Sequence, residues 1–180
     1  MQQPVVLVLA SGRGERFAAS GGHGPKLRAL LAGKPVLEHT LDAVRASGLP
    51  WHLEDAGHAG MGDSIAAAVH ATRDAGGWLV LPGDLPLVQP ASLQRIAAAM
   101  AEQGVVVPTW QGERGHPVGF AAGCRAALLA LRGGYGAAAI MRAEAAAGRL
   151  LELALADAGI RTDIDTLDDL AAAERLLALR

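Results

Sequence analysis

The sequence predicts an α/β fold with buried parallel strands, and three observations carry that expectation. Val5 to Ala10 is a continuous apolar run, rich in β-branched residues and too short for a buried helix, which suits a parallel strand covered on both faces. Trp78 to Pro82 and Val105 to Pro108 repeat the pattern, and the stretches between them space their apolar residues as helices do. The first run passes at once into Ser11, Gly12, Arg13 and Gly14. Glycines there allow a tight turn and let backbone N–H groups meet phosphate oxygens.

At 180 residues the chain is expected to form one domain, residues 1–180, with a sizeable core. Aromatics make up only 3% of the sequence, which argues against a stacking platform for single-stranded nucleic acid. The net charge of −2 with no basic run argues against a duplex-binding surface. A single cysteine, Cys124, leaves no internal disulfide and reads as a small core residue. Met1 to Pro4 supplies no basic leader, and no apolar stretch approaches the ~20 residues of a membrane span. The expectation is a cytoplasmic protein with neither a nucleic-acid nor a membrane partner.

Taken in order, Ala32-Gly33-Lys34-Pro35 is a turn before a helix in which Leu37, Leu41 and Val44 recur, and Gly48 ends it. Trp51 to Glu54 is a short strand. The glycine-rich run Asp55 to Ser64 feeds a helix through Ile65, Val69 and Ala71, with Asp63 or Ser64 as its expected cap. The strand from Trp78 ends in Gly83-Asp84-Leu85-Pro86. A carboxylate at such a strand end lies where open α/β sheets bind ligands, although a surface turn also uses aspartate. Pro90 opens a helix with Leu93, Ile96 and Met100 on one face, stopped by Gly104. After the strand Val105 to Pro108, residues 109–113 read as a hairpin turn. Cys124 to Leu131 and Gly136 to Ala147 are short alanine-rich helices, and Leu150 to Leu155 is a strand. Thr166 with Asp169 forms a capping pattern for the last helix, which leaves Asp163 and Asp165 unexplained.

A strand, a glycine loop and two flanking cations, Arg16 and Lys26, together suggest a polyphosphate site. The loop is not a dinucleotide fingerprint, because Phe17 stands where the third glycine belongs. Nor is it a Walker A loop, because Pro25 precedes Lys26 and no Ser or Thr follows. Leu9, Ala10, Ser11, Gly12, Arg16 and Phe17 followed by Pro25-Lys26 instead resemble the motif of the NTP-transferase superfamily. Gly60-Met61-Gly62-Asp63-Ser64, Gly83-Asp84-Leu85-Pro86, Arg114-Gly115-His116-Pro117-Val118 and Asp163-Ile164-Asp165-Thr166 extend that match. From Val5 to Leu177 the chain resembles the MobA/MocA-like NTP transferases, nearer their molybdopterin cytidylyltransferase-like branch.

The resemblance implies a three-layer α/β/α sandwich with a largely parallel, Rossmann-like mixed sheet. It implies Mg²⁺-dependent transfer of NMP from an NTP, CTP favoured, to a phosphorylated acceptor such as molybdopterin, with a molybdoenzyme receiving the finished cofactor. Arg16, Lys26 and Asp84 would be catalytic, and Asp84 with Asp165 would hold Mg²⁺. Leu9, Ala10, Ser11, Gly12, Arg13, Lys26, Gly60, Met61, Gly62 and Ser64 would contact the nucleotide, with the N–H groups of residues 10–14 cradling phosphate. His116 would face the acceptor, a histidine at that place being equally able to serve as a hydrogen-bonded structural residue. A sugar-phosphate or guanylyl-type transferase and a non-catalytic nucleotide-binding accessory protein are the alternatives, since Ser11 does not by itself separate CTP from GTP. Three departures stand out. Residues 18–24 lengthen the loop, so Lys26 is expected to swing in from a flexible segment. The chain between Gly48 and Gly60 is short by about one strand–helix unit, so the sheet should lose an edge strand. Gly133-Gly134-Tyr135-Gly136-Ala137 stands where the family has G-D-x-G-A, so the acidic residue near the acceptor is lost, with Gly134 in its place.

Overall fold

The computed structural model describes residues 2–12 and 14–179. In chain order the elements are β1 (Val5–Leu9), α1 (Glu15–Ala19), β2 (Leu30–Leu31), β3 (Lys34–Pro35), α2 (Val36–Ala46), β4 (Trp51–Glu54), α3 (Met61–Ala71) and β5 (Gly77–Pro82). They continue as α4 (Pro90–Ala99), β6 (Val105–Trp110), β7 (Glu113–Arg114), β8 (Val118–Ala121), α5 (Arg125–Leu129), α6 (Ala138–Ala146), β9 (Leu150–Ala154) and α7 (Leu167–Leu177).

Alternation along the strands decides the layers. Val6, Val8, Leu79, Leu81 and Val106 point to one face, where they pack with Leu41 and Val44 of α2 and Leu93 and Ile96 of α4. Leu7, Trp78, Val80, Val105 and Val107 point to the other, against Ile65 and Val69 of α3, Leu128 of α5 and Ile140 of α6. The result is the expected three-layer α/β/α sandwich. A third, smaller core joins Phe17 of α1, Leu31, Val36, Leu87, Ile164 and Ala173 of α7.

The sheet is ordered β4-β1-β5-β8-β6, and β6 takes β9 along one edge while β8 and β7 share the other. β1, β4, β5, β6 and β9 run in one direction, and β7 and β8 oppose them. The sheet is therefore mixed but mostly parallel. β4 forms its outer edge beside β1. No helix among the described residues is long and apolar enough to cross a membrane.

Several local features differ from the sequence-based expectation. β6 runs on through Trp110, and the hairpin turn is only Gln111-Gly112, both at positive φ (52° and 81°). The short strands β7 and β8 follow that turn. α3 starts at Met61 on an extended Gly60 with no side-chain cap, so neither Asp63 nor Ser64 caps it. Asp63 instead lies in the first turn, where a carboxylate favours the helix dipole, and the Ser64 hydroxyl donates back to Gly60 O at 3.2 Å. Residues 18–24 also make specific contacts with the rest of the chain. Ser20 Oγ donates to Phe17 O (2.8 Å) and accepts from Leu167 N (3.0 Å), which ties the segment to the start of α7. Gly22 lies against the Phe17 ring, with no room for a side chain.

Candidate active site

The carboxyl ends of β1 and β5 lie side by side, and both chains turn away from the sheet there. Gly83 N donates to Leu9 O at 2.9 Å, and Thr40 of α2 donates to Gly83 O at 2.9 Å, so the strand end carrying Asp84 is fixed. Ile164 N donates to Asp84 O at 3.0 Å. That bond brings Asp163 and Asp165 to the same place. The Asp165 backbone is held in turn by the α7 capping box, its N–H donating to Asp169 Oδ2 at 3.1 Å.

Lys26, at the start of a 3₁₀ turn over Lys26–Arg28, projects between these two segments. Its Nζ lies 2.6 Å from Asp84 Oδ2 and 2.9 Å from Asp165 Oδ1, and Arg16 Nη1 lies 2.7 Å from Asp165 Oδ2. Lys26, Asp84 and Asp165 are 13–16% exposed, whereas Arg16 is 77% exposed and covers the group from outside. Lys26 is thus already docked, not carried on a free loop, because the Phe17 and Ser20 contacts set the path that leads to it. Burial works against the Lys26 charge, but the hydrogen bonds and charges of Asp84 and Asp165 outweigh it and hold its pKa above the usual value. Burial likewise opposes ionisation of Asp165, and Lys26 with Arg16 holds it below the ordinary carboxylate range all the same. Asp163, buried beside the charges of Asp165 and Asp84, is pushed up.

These groups form one wall of a cleft of about 570 Å³. Of the residues singled out by sequence, Leu9, Ser11, Gly12, Arg16, Lys26, Gly60, Met61, Ser64, Asp84, His116 and Asp165 line it; Ala10 and Gly62 do not. Arg13 lies outside the described residues. The Ala10 N–H is committed to Glu54 O at 2.9 Å, which removes it from the expected phosphate cradle. Gly62 has a different reason to be glycine. Its N–H bonds Gly133 O at 2.8 Å, and a Cβ would stand 2.6 Å from Tyr135 O. A Cβ on Gly60 would strike the Gly133 backbone. The close approach of the loop through residues 132–135 therefore explains both glycines, leaving Met61 and Ser64 as the parts of this motif that reach the cleft with side chains.

One residue beside the cleft had no motif to mark it in the sequence. Glu54 ends β4 and is buried, and it accepts from His58 Nε2 (3.0 Å) and Ala56 N (3.3 Å), with His52 Nε2 at 3.5 Å. Its carbonyl takes Ala10 N and, at 3.4 Å, Ser11 Oγ. Glu54 so ties the glycine loop after β1 to His58 and the loop that precedes α3. At the opposite end, His116 N donates to Ile160 O at 2.8 Å, and Arg114 and Arg161 complete the lining. The His116 ring is pushed below the ordinary imidazole value by burial, with the Asp84 charge opposing the shift.

A divalent cation fits the donor set. Asp84 Oδ1 is a buried carboxylate oxygen with no hydrogen-bond partner, and a hard cation prefers a small number of such oxygens with phosphate and water completing its shell. Among the described residues no cluster of three or more His, Cys, Asp or Glu could hold a metal unaided. Oxygens from a ligand would have to complete the site.

Asp84 after β5, Asp165 before α7, two cations and a cleft thus come together on a mixed, mostly parallel α/β sheet. The family model of the MobA-like NTP transferase domain matches residues 42–150, and the chain belongs to that family. Rv0371c from Mycobacterium tuberculosis H37Rv is 25% identical, with a TM-score of 0.77 over 96% of this chain and 98% of that one. Its manganese complex superposes at 0.74, again at 25% identity, over 97% and 98%. A nucleotidyl transferase from Methanothermobacter thermautotroptrophicus (Mth528), at 22% identity, shares the fold with a TM-score of 0.82 over 99% of both chains. Among curated proteins, the bifunctional protein GlmU of Azoarcus sp. (strain BH72) is 31% identical over 138 residues, 64% of this chain and 29% of its own length. The chain thus spans under a third of the curated relatives it matches.

Proposed function

We propose that residues 1–180 form one NTP-transferase domain that carries out Mg²⁺-dependent transfer of NMP from an NTP, CTP favoured, to a phosphorylated acceptor of the molybdopterin type. Pyrophosphate leaves, and a molybdoenzyme receives the finished cofactor. The observation that carries this reading is the alternating array Asp84–Lys26–Asp165–Arg16 at the carboxyl ends of parallel strands, in a cleft large enough for a nucleotide. The family match and the manganese complex of Rv0371c support it.

Phosphoryl and nucleotidyl transfers ask little covalent work of a protein, so positioning and charge neutralisation dominate. Asp84 and Asp165 would hold Mg²⁺, which when bound neutralises charge on the phosphate oxygens. Arg16 and Lys26 stabilise the charge that grows on the departing pyrophosphate. Gly12 faces the phosphates, and Ser11, Met61 and Ser64 face base and ribose. The attacking acceptor phosphate is already ionised above its second pKa of about 6, so no general base is needed. A neutral His116 then acts as a hydrogen-bonding contact for the acceptor, beside Arg114 and Arg161.

Ser11 adds bulk to the cleft wall and its hydroxyl is turned toward Glu54 O, which favours a pyrimidine over a purine. A base-specific hydrogen bond left unmade costs ~1–3 kcal/mol, so CTP should bind roughly tenfold or more tightly than GTP. Thermal shifts with CTP, GTP, ATP and UTP, each with Mg²⁺, test the donor. Pyrophosphate release with and without Mg²⁺, using molybdopterin and a sugar phosphate as acceptors, tests the reaction. Equal shifts for CTP and GTP would remove the cytidylyl assignment. Nucleotide binding without release for any NTP and acceptor pair would replace the enzyme by an accessory protein.

A further inference from the structure

We infer that the Lys26 ammonium occupies the place of the divalent cation, so that the Asp84–Asp165 pair is closed to a free metal ion and opens only when a nucleotide draws Lys26 away. The inference rests on the nucleotidyl-transfer reading and adds an order of events to it: triphosphate first or together with the metal, never metal alone.

The geometry is specific. The ammonium bridges one oxygen from each carboxylate, Asp84 Oδ2 at 2.6 Å and Asp165 Oδ1 at 2.9 Å, as a cation shared by two carboxylates would. Arg16 takes the second oxygen of Asp165 at 2.7 Å. Only Asp84 Oδ1 is left without a hydrogen bond, and it is buried. The charges of Asp84 and Asp165 are thus matched one for one by those of Lys26 and Arg16. A divalent ion entering alone finds both carboxylates already paired and must displace the ammonium to reach them. It would also strand the charge of a side chain that is only 13% exposed, and a buried charge without a partner is strongly unfavourable. A triphosphate changes both terms. It supplies the negative charge that a divalent ion needs, and it gives Lys26 a new anionic partner within the same cleft. Metal and nucleotide are then positively coupled through Lys26, and the coupling is reciprocal.

The test uses Mn²⁺ as probe on the full chain, with free Mn²⁺ followed by electron paramagnetic resonance in the absence of nucleotide. Wild type should bind Mn²⁺ weakly, and Lys26→Met and Lys26→Gln should each bind it at least tenfold more tightly. Asp84→Asn in the Lys26→Met background should lose that gain. Wild-type binding as tight as that of the variants would overturn the inference while leaving a metal site, and with it the nucleotidyl-transfer reading, in place. No Mn²⁺ binding to any form, with or without CTP, would overturn both. Should the Lys26 variants fail to fold, the wild type still decides. Lys26 and Lys34 are the only lysines in the sequence, so ¹³Cε-labelled lysine gives two signals. Lys34, paired on the surface with Asp42, is the internal control. Metal-free CTP should shift the Lys26 signal and Mg²⁺ alone should leave it unmoved; the reverse pattern would refute the proposal.

Discussion

Substituting Asp84 by asparagine tests the site with little disturbance of packing, because Asn has nearly the same shape and keeps one acceptor oxygen. What disappears is the charge facing Lys26 across 2.6 Å. A hydrogen bond to a charged group contributes ~1.5–3 kcal/mol. Lys26 retains Asp165 at 2.9 Å, so the loss belongs at the lower end, ~1.5 kcal/mol. That is small beside a total stability of ~5–15 kcal/mol, and for a chain of this size it lowers Tm by roughly 3–6 °C. Catalysis should suffer far more. Removing one of two carboxylates that hold the cation forfeits ~4 kcal/mol of charge stabilisation, or about 10³-fold in kcat/KM. Pyrophosphate release and Mg²⁺-dependent CTP binding measure the second effect, and a thermal melt measures the first. A folded Asp84→Asn protein within tenfold of wild-type kcat/KM would refute the assignment of Asp84 to the metal.

Three further outcomes follow from other parts of the molecule. Gly62→Ala should destabilise by about 1–3 kcal/mol, the usual cost of overpacking, because its Cβ would crowd Tyr135 O at 2.6 Å; denaturant titration checks this, and a neutral result would return Gly62 to a direct role at the nucleotide. Asp157 is buried and accepts from Gln89 N, Ser92 Oγ and Gly159 N at 2.7–2.9 Å. Asp157→Asn turns an acceptor into a donor there and should cost ~2–4 kcal/mol in chemical unfolding with kcat little changed at 25 °C. Burial holds the His116 pKa below the ordinary 6.5, so as pH falls the unfolded chain takes the proton first. The stability due to His116 is present above pH 6.5 and is lost as pH falls from there through the folded value, and His116→Gln should flatten the measured unfolding free energy across that window.

The sequence by itself determined the long strands, most of the longer helices and the identities of the charged residues, because those signals are local. Continuous apolar runs mark β1, β5 and β6 and helical spacing marks α2 and α4, since each reports the burial of its own segment. The motif residues Arg16, Lys26, Asp84 and Asp165 were likewise legible. Only the tertiary structure decided how they meet. Lys26 lies 58 residues from Asp84 and 139 from Asp165, and no local periodicity specifies a contact set by strand order and by the Ile164–Asp84 backbone bond. The same holds for Glu54, which reads in sequence as the end of a short strand and in space ties two loops together. β8 has no clear signal in the sequence because Val118, Gly119 and Phe120 are all buried, so it lacks the alternation that marks a half-exposed antiparallel strand. The motif glycines at 60 and 62 pointed to a ligand, but the space beside them is filled by the backbone of residues 132–135. Which glycine serves a ligand and which serves packing depends on what lies across from it, and that is a property of the folded chain alone.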